Sequence, residues 1–451
     1  MGGGSFSVYL CATLCVSVKQ LKMNLLLKHS NQLLASSFQL QITGSKSETN
    51  RLLLLQALYP NLTLENTSIS DDSEVMIKAL DHNFHTELVE VSQPATRNPQ
   101  IINVHHAGTA MRFLTAYFAI QENREVILTG SSRMKERPIK ILVDALRKLG
   151  AEISYEENEG FPPIKIKGKK LLQNKVSLPA NVSSQYISAL LLIAPKLENG
   201  LELTLEGEIT SVPYIKITLA LLNEIGVKTS FADNKIVVKP QTINYKPQII
   251  SVESDWSSAS YFYSIIALSE IGTEITLSSY KKNSLQGDSA LVEIYKNFGV
   301  ETVFNNNQSI TISKINVHNS FPFGEGWDGA NSPDIAQTIA VTCFGLGIGC
   351  HLTGLHTLKI KETDRLKALK NELTTLGATI SVTNDSLTLV SGSPPLEGLG
   401  VATYQDHRMA MAFAPLALKV PIIIEDAEVV SKSYPKFWED LQSIGFTIEE
   451  K

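Results

Sequence analysis

The chain has 451 residues, 43% of them hydrophobic and 19% charged, with a formal charge of −5. That length exceeds one ordinary domain and predicts two globular domains of about 200 residues each, while the composition supplies a sizeable core and excludes a disordered chain. Acidic residues outnumber Lys and Arg 45 to 40, and the cations are scattered, which argues against a nucleic-acid binder with its basic stripe; an anionic ligand must be met by a local cluster of cations.

The opening stretch 6–18 is apolar, but no cation precedes it and no small-residue cleavage site follows, so a signal peptide is not predicted. Phe6 stands where N-myristoylation wants Ser or Thr. Met23 is a natural start, and residues 1–23 are expected to be an extension. No later uncharged run approaches the length of a membrane span, so no membrane partner is expected. The four cysteines, Cys11, Cys15, Cys343 and Cys350, match neither a zinc-site spacing nor a disulfide framework. Cys343 and Cys350 lie in an apolar run and are expected to be buried free thiols, which suits a reducing cytoplasm.

In chain order, the first element with chemistry is Gly44-Ser45-Lys46-Ser47-Glu48-Thr49-Asn50-Arg51, followed by a helical run over 52–58. Small hydroxyl residues at a helix start leave free N–H groups that favour an anion, and Lys46 and Arg51 add charge at the same end. A plain Ser-capped helix would use the same residues. A helix-plus-strands unit is plausible around 72–104. His106-Ala107-Gly108-Thr109-Ala110-Met111-Arg112 then precedes a helix over 113–120, its small residues leaving room either for a ligand or for close packing. After a strand over 125–129 comes Arg133-Met134-Lys135-Glu136-Arg137-Pro138, three cations in six residues before a helix that begins near Pro138.

Ser183-Ser184-Gln185-Tyr186 opens an apolar helix over 187–194, where two hydroxyls and an amide can bind phosphate oxygens or cap the helix. Ser211-Val212-Pro213-Tyr214 is similar, with Tyr214 offering a flat face to a ring. In Lys361-Glu362-Thr363-Asp364-Arg365 the spacing places Lys361 and Arg365 on one helix face, either in a site or in a surface ladder of ion pairs. Asp406-His407-Arg408 abuts the apolar Met409-Ala410-Met411-Ala412, and Lys432 stands in Ser431-Lys432-Ser433-Tyr434-Pro435.

Between these motifs one pattern recurs: a helix ends at a glycine, then two β-runs flank a polar turn. The glycines are Gly150, Gly226, Gly299, Gly377 and Gly445, each in the position where a helix stops by going left-handed. Strands over 152–155 and 163–167 pair around 158–160, and those over 379–382 and 386–390 around Asn384-Asp385. With the incomplete copy near 72–104 this predicts six helix-plus-strands units in two domains. No G-x-G-x-x-G opens a helix, which disfavours a Rossmann fold.

Taken together and in this order, GSKSxxNR, AGTAMR, RMKERP, SSQ, KETDR and DHRMAM resemble the enolpyruvylshikimate-phosphate synthase family, from about Gln39 to Pro435. The resemblance implies an α/β fold, a two-domain inside-out α/β barrel with three repeated units per domain: 24–44 plus 253–451 as the first domain and 45–252 as the second, with substrates in the cleft between them and closure around them. It implies the transfer of the enolpyruvyl group of phosphoenolpyruvate to the 5-hydroxyl of shikimate 3-phosphate, with no metal and no other cofactor, by a monomer. Shikimate 3-phosphate would be bound by Lys46, Ser47, Arg51, Ser183, Ser184, Gln185, Ser211, Tyr214, Asp334 and Lys361. Phosphoenolpyruvate would meet Lys46, Gly108, Thr109, Arg133, Gln185, Arg365, Arg408 and Lys432. Lys46, Asp334 and Glu362 are the candidates for proton transfer.

The chain departs from the family pattern at His106, Phe113 and Thr357, all around the phosphoenolpyruvate side. A related transferase acting on UDP-N-acetylglucosamine would carry a loop cysteine and A-K-N-A in place of G-S-K-S, neither of which this chain has. A non-catalytic phosphometabolite-binding protein on the same fold would be expected to lose Lys46, Asp334 or Glu362, and all three are present. An RNA-end-processing enzyme of the same broad fold is disfavoured by the acidic balance.

Overall fold

The computed structural model describes residues 23–29, 37–81, 99–207, 209, 212–241, 247–316, 326–392 and 394–451. Two separate hydrophobic clusters organise them. One runs from Leu52 to Val252, and the other combines Leu25, Leu27, Leu40 and Ile42 with residues from Trp256 to Phe446.

Each cluster is built from one repeated arrangement. In the segment 100–167, strand Gln100–Asn103 leads through helix Gly108–Ala119 to a parallel strand, Glu125–Thr129. Helix Lys140–Leu149 follows, then the hairpin Glu152–Tyr155 and Ile164–Lys167, whose second strand pairs back on Glu125–Thr129. Segment 175–238 repeats the order with strands Lys175–Pro179, Leu201–Glu206, Thr229–Ala232 and Lys235–Val238. Three further four-stranded sheets in the other half show the same one parallel and two antiparallel pairings. The sixth sheet pairs Leu62–Glu65 with Gln248–Ser251 in parallel, and the place where its hairpin would fall lies outside the described residues.

The helices are inside and the sheets outside. In Trp256–Leu268 every residue except Ser257 is buried, and eight of the ten residues of Ser184–Ile193 are. A helix apolar on all sides can only be satisfied in a core, whereas the strands alternate, as in Lys175–Pro179, where only Val176 and Leu178 are buried. All five expected stop glycines are left-handed: Gly150 at φ 109°, Gly226 at 88°, Gly299 at 74°, Gly377 at 102° and Gly445 at 101°.

The chain changes halves twice. Strand Ser37–Leu40 belongs to the sheet of Glu274–Leu277, but the next element, helix Lys46–Leu58, packs in the other core. The return passes through Glu253-Ser254-Asp255. The two crossing segments are laced together: Ser45 N donates to Glu253 O at 2.7 Å, Asp255 N to Thr43 O at 3.3 Å and Ser254 Oγ to Ile42 O at 2.6 Å. Strand Leu25–His29 closes the last sheet between Ile422–Ile424 and Phe446–Glu450, so the start of the described chain completes the unit at its end. Cys343 and Cys350 are buried free thiols, as expected; Cys11 and Cys15 lie outside the described residues.

Candidate active site

A cleft of about 350 Å³ lies between the two cores, lined by residues from both; this falls in the range of roughly 300–1,000 Å³ usual for small-molecule sites. The starts of helices Lys46–Leu58, Gly108–Ala119, Ser184–Ile193 and Val212–Glu224 face it from one half. Those of Trp256–Leu268, Arg365–Thr375 and His407–Phe413 face it from the other. Helix N-termini present unpaired N–H groups and a partial positive charge, so the backbone itself is arranged for anions.

Of the residues expected in the site, Lys46, Ser47, Arg51, Gly108, Thr109, Ser183, Ser184, Gln185, Tyr214, Asp334, Lys361, Glu362, Arg365 and Arg408 all line this cleft. Ser183 caps its helix by accepting from Gln185 N, and Gln185 Nε2 donates to Thr109 Oγ1 at 3.0 Å. Arg51 is held on every side. Its Nε donates to Thr218 Oγ1 at 2.8 Å, Nη1 to Ser47 O at 2.7 Å and Nη2 to Ser188 Oγ at 2.9 Å, while the guanidinium lies 5.4 Å from the centre of the Phe113 ring. Phe113 thus gives Arg51 an aromatic floor. Thr357 lines the cleft with an unbonded hydroxyl, and His106 stands 3.9 Å from Asp72.

Two expected residues stand elsewhere. Arg133 is half exposed, pairs with Glu136 at 2.9 Å and does not line the cleft; Arg137, four residues on, does. Lys432 lies just behind the lining, donating from Nζ to Gln405 O at 2.7 Å, while its own carbonyl accepts from Lys46 Nζ at 3.4 Å. Ser211 falls outside the described residues. One expectation is corrected: Lys361-Glu362-Thr363-Asp364 is not the first turn of a helix. The helix begins at Arg365, because the Asp364 side chain accepts from Lys367 N and so caps it. Lys361 reaches the cleft from a bend, and its Nζ lies 3.3 Å from Asp334 Oδ1.

The charges are tightly matched. Arg365 donates from Nη1 to Asp334 at 2.9 Å, from Nη2 to Glu362 at 2.8 Å and from Nε to Asp406 at 2.6 Å. Arg408 Nη2 bonds the other Asp334 oxygen at 3.1 Å. Burial alone would raise the Asp334 carboxyl, but Arg408, Lys361 and Arg365 hold it well below the ordinary carboxylate range. Glu362 behaves alike: burial raises it, and Arg365, with Arg137 and Lys46 further off, brings it well below its usual value. On the other side, Lys46 Nζ lies 3.5 Å from Asp72 Oδ2.

The sequence reading missed several lining residues. His407 is buried with neither ring nitrogen hydrogen-bonded, and burial, with Lys46 and Arg408 nearby, keeps it neutral. Arg112 donates to Gly108 O and Pro138 O, both at 3.1 Å, bracing the small-residue loop. Arg112, Arg137 and His407 all sit inside motifs that were read, and membership in those motifs was the available signal. Asp72, Asp255 and Ser257 carried none. Among the described residues no group of His, Cys, Asp and Glu is arranged to hold a metal ion, and no helix is long and apolar enough to cross a membrane.

Comparison with known proteins gives one answer. The family described as EPSP synthase (3-phosphoshikimate 1-carboxyvinyltransferase) matches residues 35–441. A 3-phosphoshikimate 1-carboxyvinyltransferase of Bacteroides fragilis (strain YCH46) is 44% identical over 432 residues, covering 95% of this chain and 99% of the relative. One from Sulfurovum sp. (strain NBC37-1) is 36% identical over 424 residues, covering 90% and 96%. The solved structure of EPSP synthase from Acinetobacter baumannii superposes with a TM-score of 0.74 at 22% identity, over 95% of this chain and all of that one, a likeness of fold.

Proposed function

The chain belongs to the EPSP synthase family, and on that premise we propose which of its residues carry the reaction. The enzyme transfers the enolpyruvyl group of phosphoenolpyruvate to the 5-hydroxyl of shikimate 3-phosphate and releases phosphate, a step of the shikimate pathway and so of aromatic amino-acid biosynthesis. The two cores are taken as two domains, 24–44 plus 253–451 and 45–252, closing around the substrates. Both sides of the cleft come from one chain, which favours action as a monomer, and the free thiols Cys343 and Cys350 favour a cytoplasmic setting.

The observation that carries the assignment is the pairing of Arg365 and Arg408 with Asp334 inside a cleft lined from both halves. The substrates bring two phosphates and two carboxylates, and they compete with Asp334 and Glu362 for the same cations. Ser183, Ser184, Gln185 and Ser211 take the phosphate of shikimate 3-phosphate; Ser47, Arg51 and Tyr214 take its ring and carboxylate, with Asp334 and Lys361 at the hydroxyls. Lys46, Gly108, Thr109, Arg133, Gln185, Arg365, Arg408 and Lys432 take phosphoenolpyruvate, Arg133 swinging in from its exposed pairing with Glu136. The planar guanidinium forks suit a carboxylate, and each charge-assisted contact contributes roughly 1.5–3 kcal/mol.

The same exchange prepares the acid–base groups. A carboxylate held by three cations is a weak base. As anions draw Arg365 and Arg408 away, Asp334 regains basicity beside the hydroxyl it must deprotonate. The hydroxyl oxygen attacks C2 of phosphoenolpyruvate while the methylene carbon gains a proton, from the Lys46 ammonium or from Glu362 once the loss of Arg365 to the substrate lets that carboxylate take a proton up, giving a tetrahedral ketal phosphate. Loss of a proton from the new methyl group and of phosphate leaves the enol ether, with the cations stabilising charge on the leaving group.

Steady-state kinetics of two variants test the division of labour. Ser184→Ala raises KM for shikimate 3-phosphate by roughly tenfold, the loss of one hydrogen bond to a charged group, and moves KM for phosphoenolpyruvate by less than about twofold. Lys432→Ala does the reverse. The two effects exchanged, or each variant acting equally on both substrates, would contradict the assignment.

A further inference from the structure

Asp288 belongs to none of the motifs and has no part in the mechanism above, yet it is joined to it by hydrogen bonds. It sits in the short turn Gly287–Ala290, 5% exposed, behind the wall of the cleft. Its Oδ2 accepts from the hydroxyl of Ser257, and its Oδ1 has no hydrogen-bond partner. Ser257 lines the cleft, and its oxygen also accepts from Arg408 Nη2 at 3.2 Å, the nitrogen that lies 3.1 Å from Asp334 Oδ2. The turn is fixed in place. Ser332 Oγ donates to Gly287 O at 2.8 Å, and a Cβ on Gly287 would come within 2.5 Å of Asn331 O and 3.2 Å of Pro213.

A hydroxyl has one hydrogen and two acceptor positions. When Asp288 is ionised, Ser257 must direct its hydrogen away from the cleft, to Oδ2. When Asp288 is protonated, the carboxyl donates to Ser257, Arg408 fills the second acceptor position, and the Ser257 hydrogen is free to turn into the cleft. We propose that Asp288 is a positioning residue that sets the direction of the Ser257 hydroxyl, so that Ser257 joins Arg408 as a donor to phosphoenolpyruvate only while Asp288 carries a proton. This rests on the reading that Arg408 binds phosphoenolpyruvate.

The groups facing Asp288 support a proton there at working pH. They are Asp334 on the neighbouring turn, Arg408, the capping carboxylate Asp255 and, from the other half, Tyr214. Burial and the Asp334 charge push Asp288 up to about 7, against the pull of Arg408. A bound anion at Arg408 offsets that pull and favours the proton further. Protonation is thus required for the added donor, and the donor is lost as pH rises through the Asp288 transition.

The test is kcat/KM for phosphoenolpyruvate between about pH 6 and pH 9 in wild type, Asp288→Asn and Ser257→Ala, with near-ultraviolet circular dichroism to establish that each is folded. In Asp288→Asn the side-chain amide donates at every pH, so the ratio of this variant to wild type rises with pH above neutrality and levels off at about tenfold, the worth of the one donor that wild type loses. Ser257→Ala lowers the value by roughly tenfold at the acid end and little at the alkaline end. A ratio that does not change with pH overturns the proposal. A pH-dependent change confined to KM for shikimate 3-phosphate keeps Asp288 coupled to the site but overturns the placement of phosphoenolpyruvate at Arg408.

Discussion

Arg365 holds three carboxylates at once, with its side chain 2% exposed. Such a group is bound to the fold as firmly as to any substrate: removing it leaves Asp334, Glu362 and Asp406 facing one another without their shared cation. Breaking a buried charge pair by deleting one partner typically costs about 3–5 kcal/mol. Arg365→Ala is therefore expected to lower the unfolding free energy by an amount of that order, seen as a lower urea midpoint, besides abolishing turnover; an unchanged midpoint would show that the network contributes nothing to stability. The residues of this network were legible where they stood side by side in the chain, as in KETDR and DHR. The links between them were not. Arg365 meets Asp406 across 41 positions and Arg408 meets Asp334 across 74, and Asp288 enters only through the hydroxyl of Ser257. No local pattern encodes such pairings, because they are made by the packing of separate units.

At the scale of elements, the stop glycines and the hairpins were readable because they follow from backbone conformations that few residues adopt. Helix starts were read late: the helix placed at 113–120 begins at Gly108, and that placed at 52–58 begins at Lys46. In both cases the first turn is made of small and polar residues whose N–H groups face the cleft, so the apolar period that marks a helix is interrupted where function needs it. The KETDR segment failed in the opposite sense, since a favourable i, i+4 spacing was outweighed by the Asp364 cap. The crossover is sensitive to a single change. A Cβ on Gly44 would stand 1.8 Å from Asn66 O and 2.9 Å from the Val252 side chain. Gly44→Ala must push the outgoing segment away from Asn66 and Val252, and overpacking of this kind costs about 1–3 kcal/mol. Thermal unfolding is expected to show that loss, with a fall in kcat as Lys46 and Ser47 shift; a melting curve like that of wild type would mean that the crossing yields freely.

Across the whole molecule, repetition explains how a mildly acidic chain assembles a cationic site. Each unit buries apolar helices and directs a helix start towards the centre, and the two crossings bring the halves face to face. Lys46 and Arg51 from one side then meet Arg365 and Arg408 from the other. The six-unit plan was visible in the sequence itself, whereas the grouping of the N-terminal strand with the C-terminal half was implied only by the family resemblance, since nothing local distinguishes strand Ser37–Leu40 from one that pairs with its own neighbour. The most direct test of the account is the release of inorganic phosphate from phosphoenolpyruvate, measured in EDTA with shikimate 3-phosphate or UDP-N-acetylglucosamine as the acceptor. The account predicts rapid release with the shikimate ester alone. Release with the sugar nucleotide, or none with either acceptor from folded protein, would contradict it.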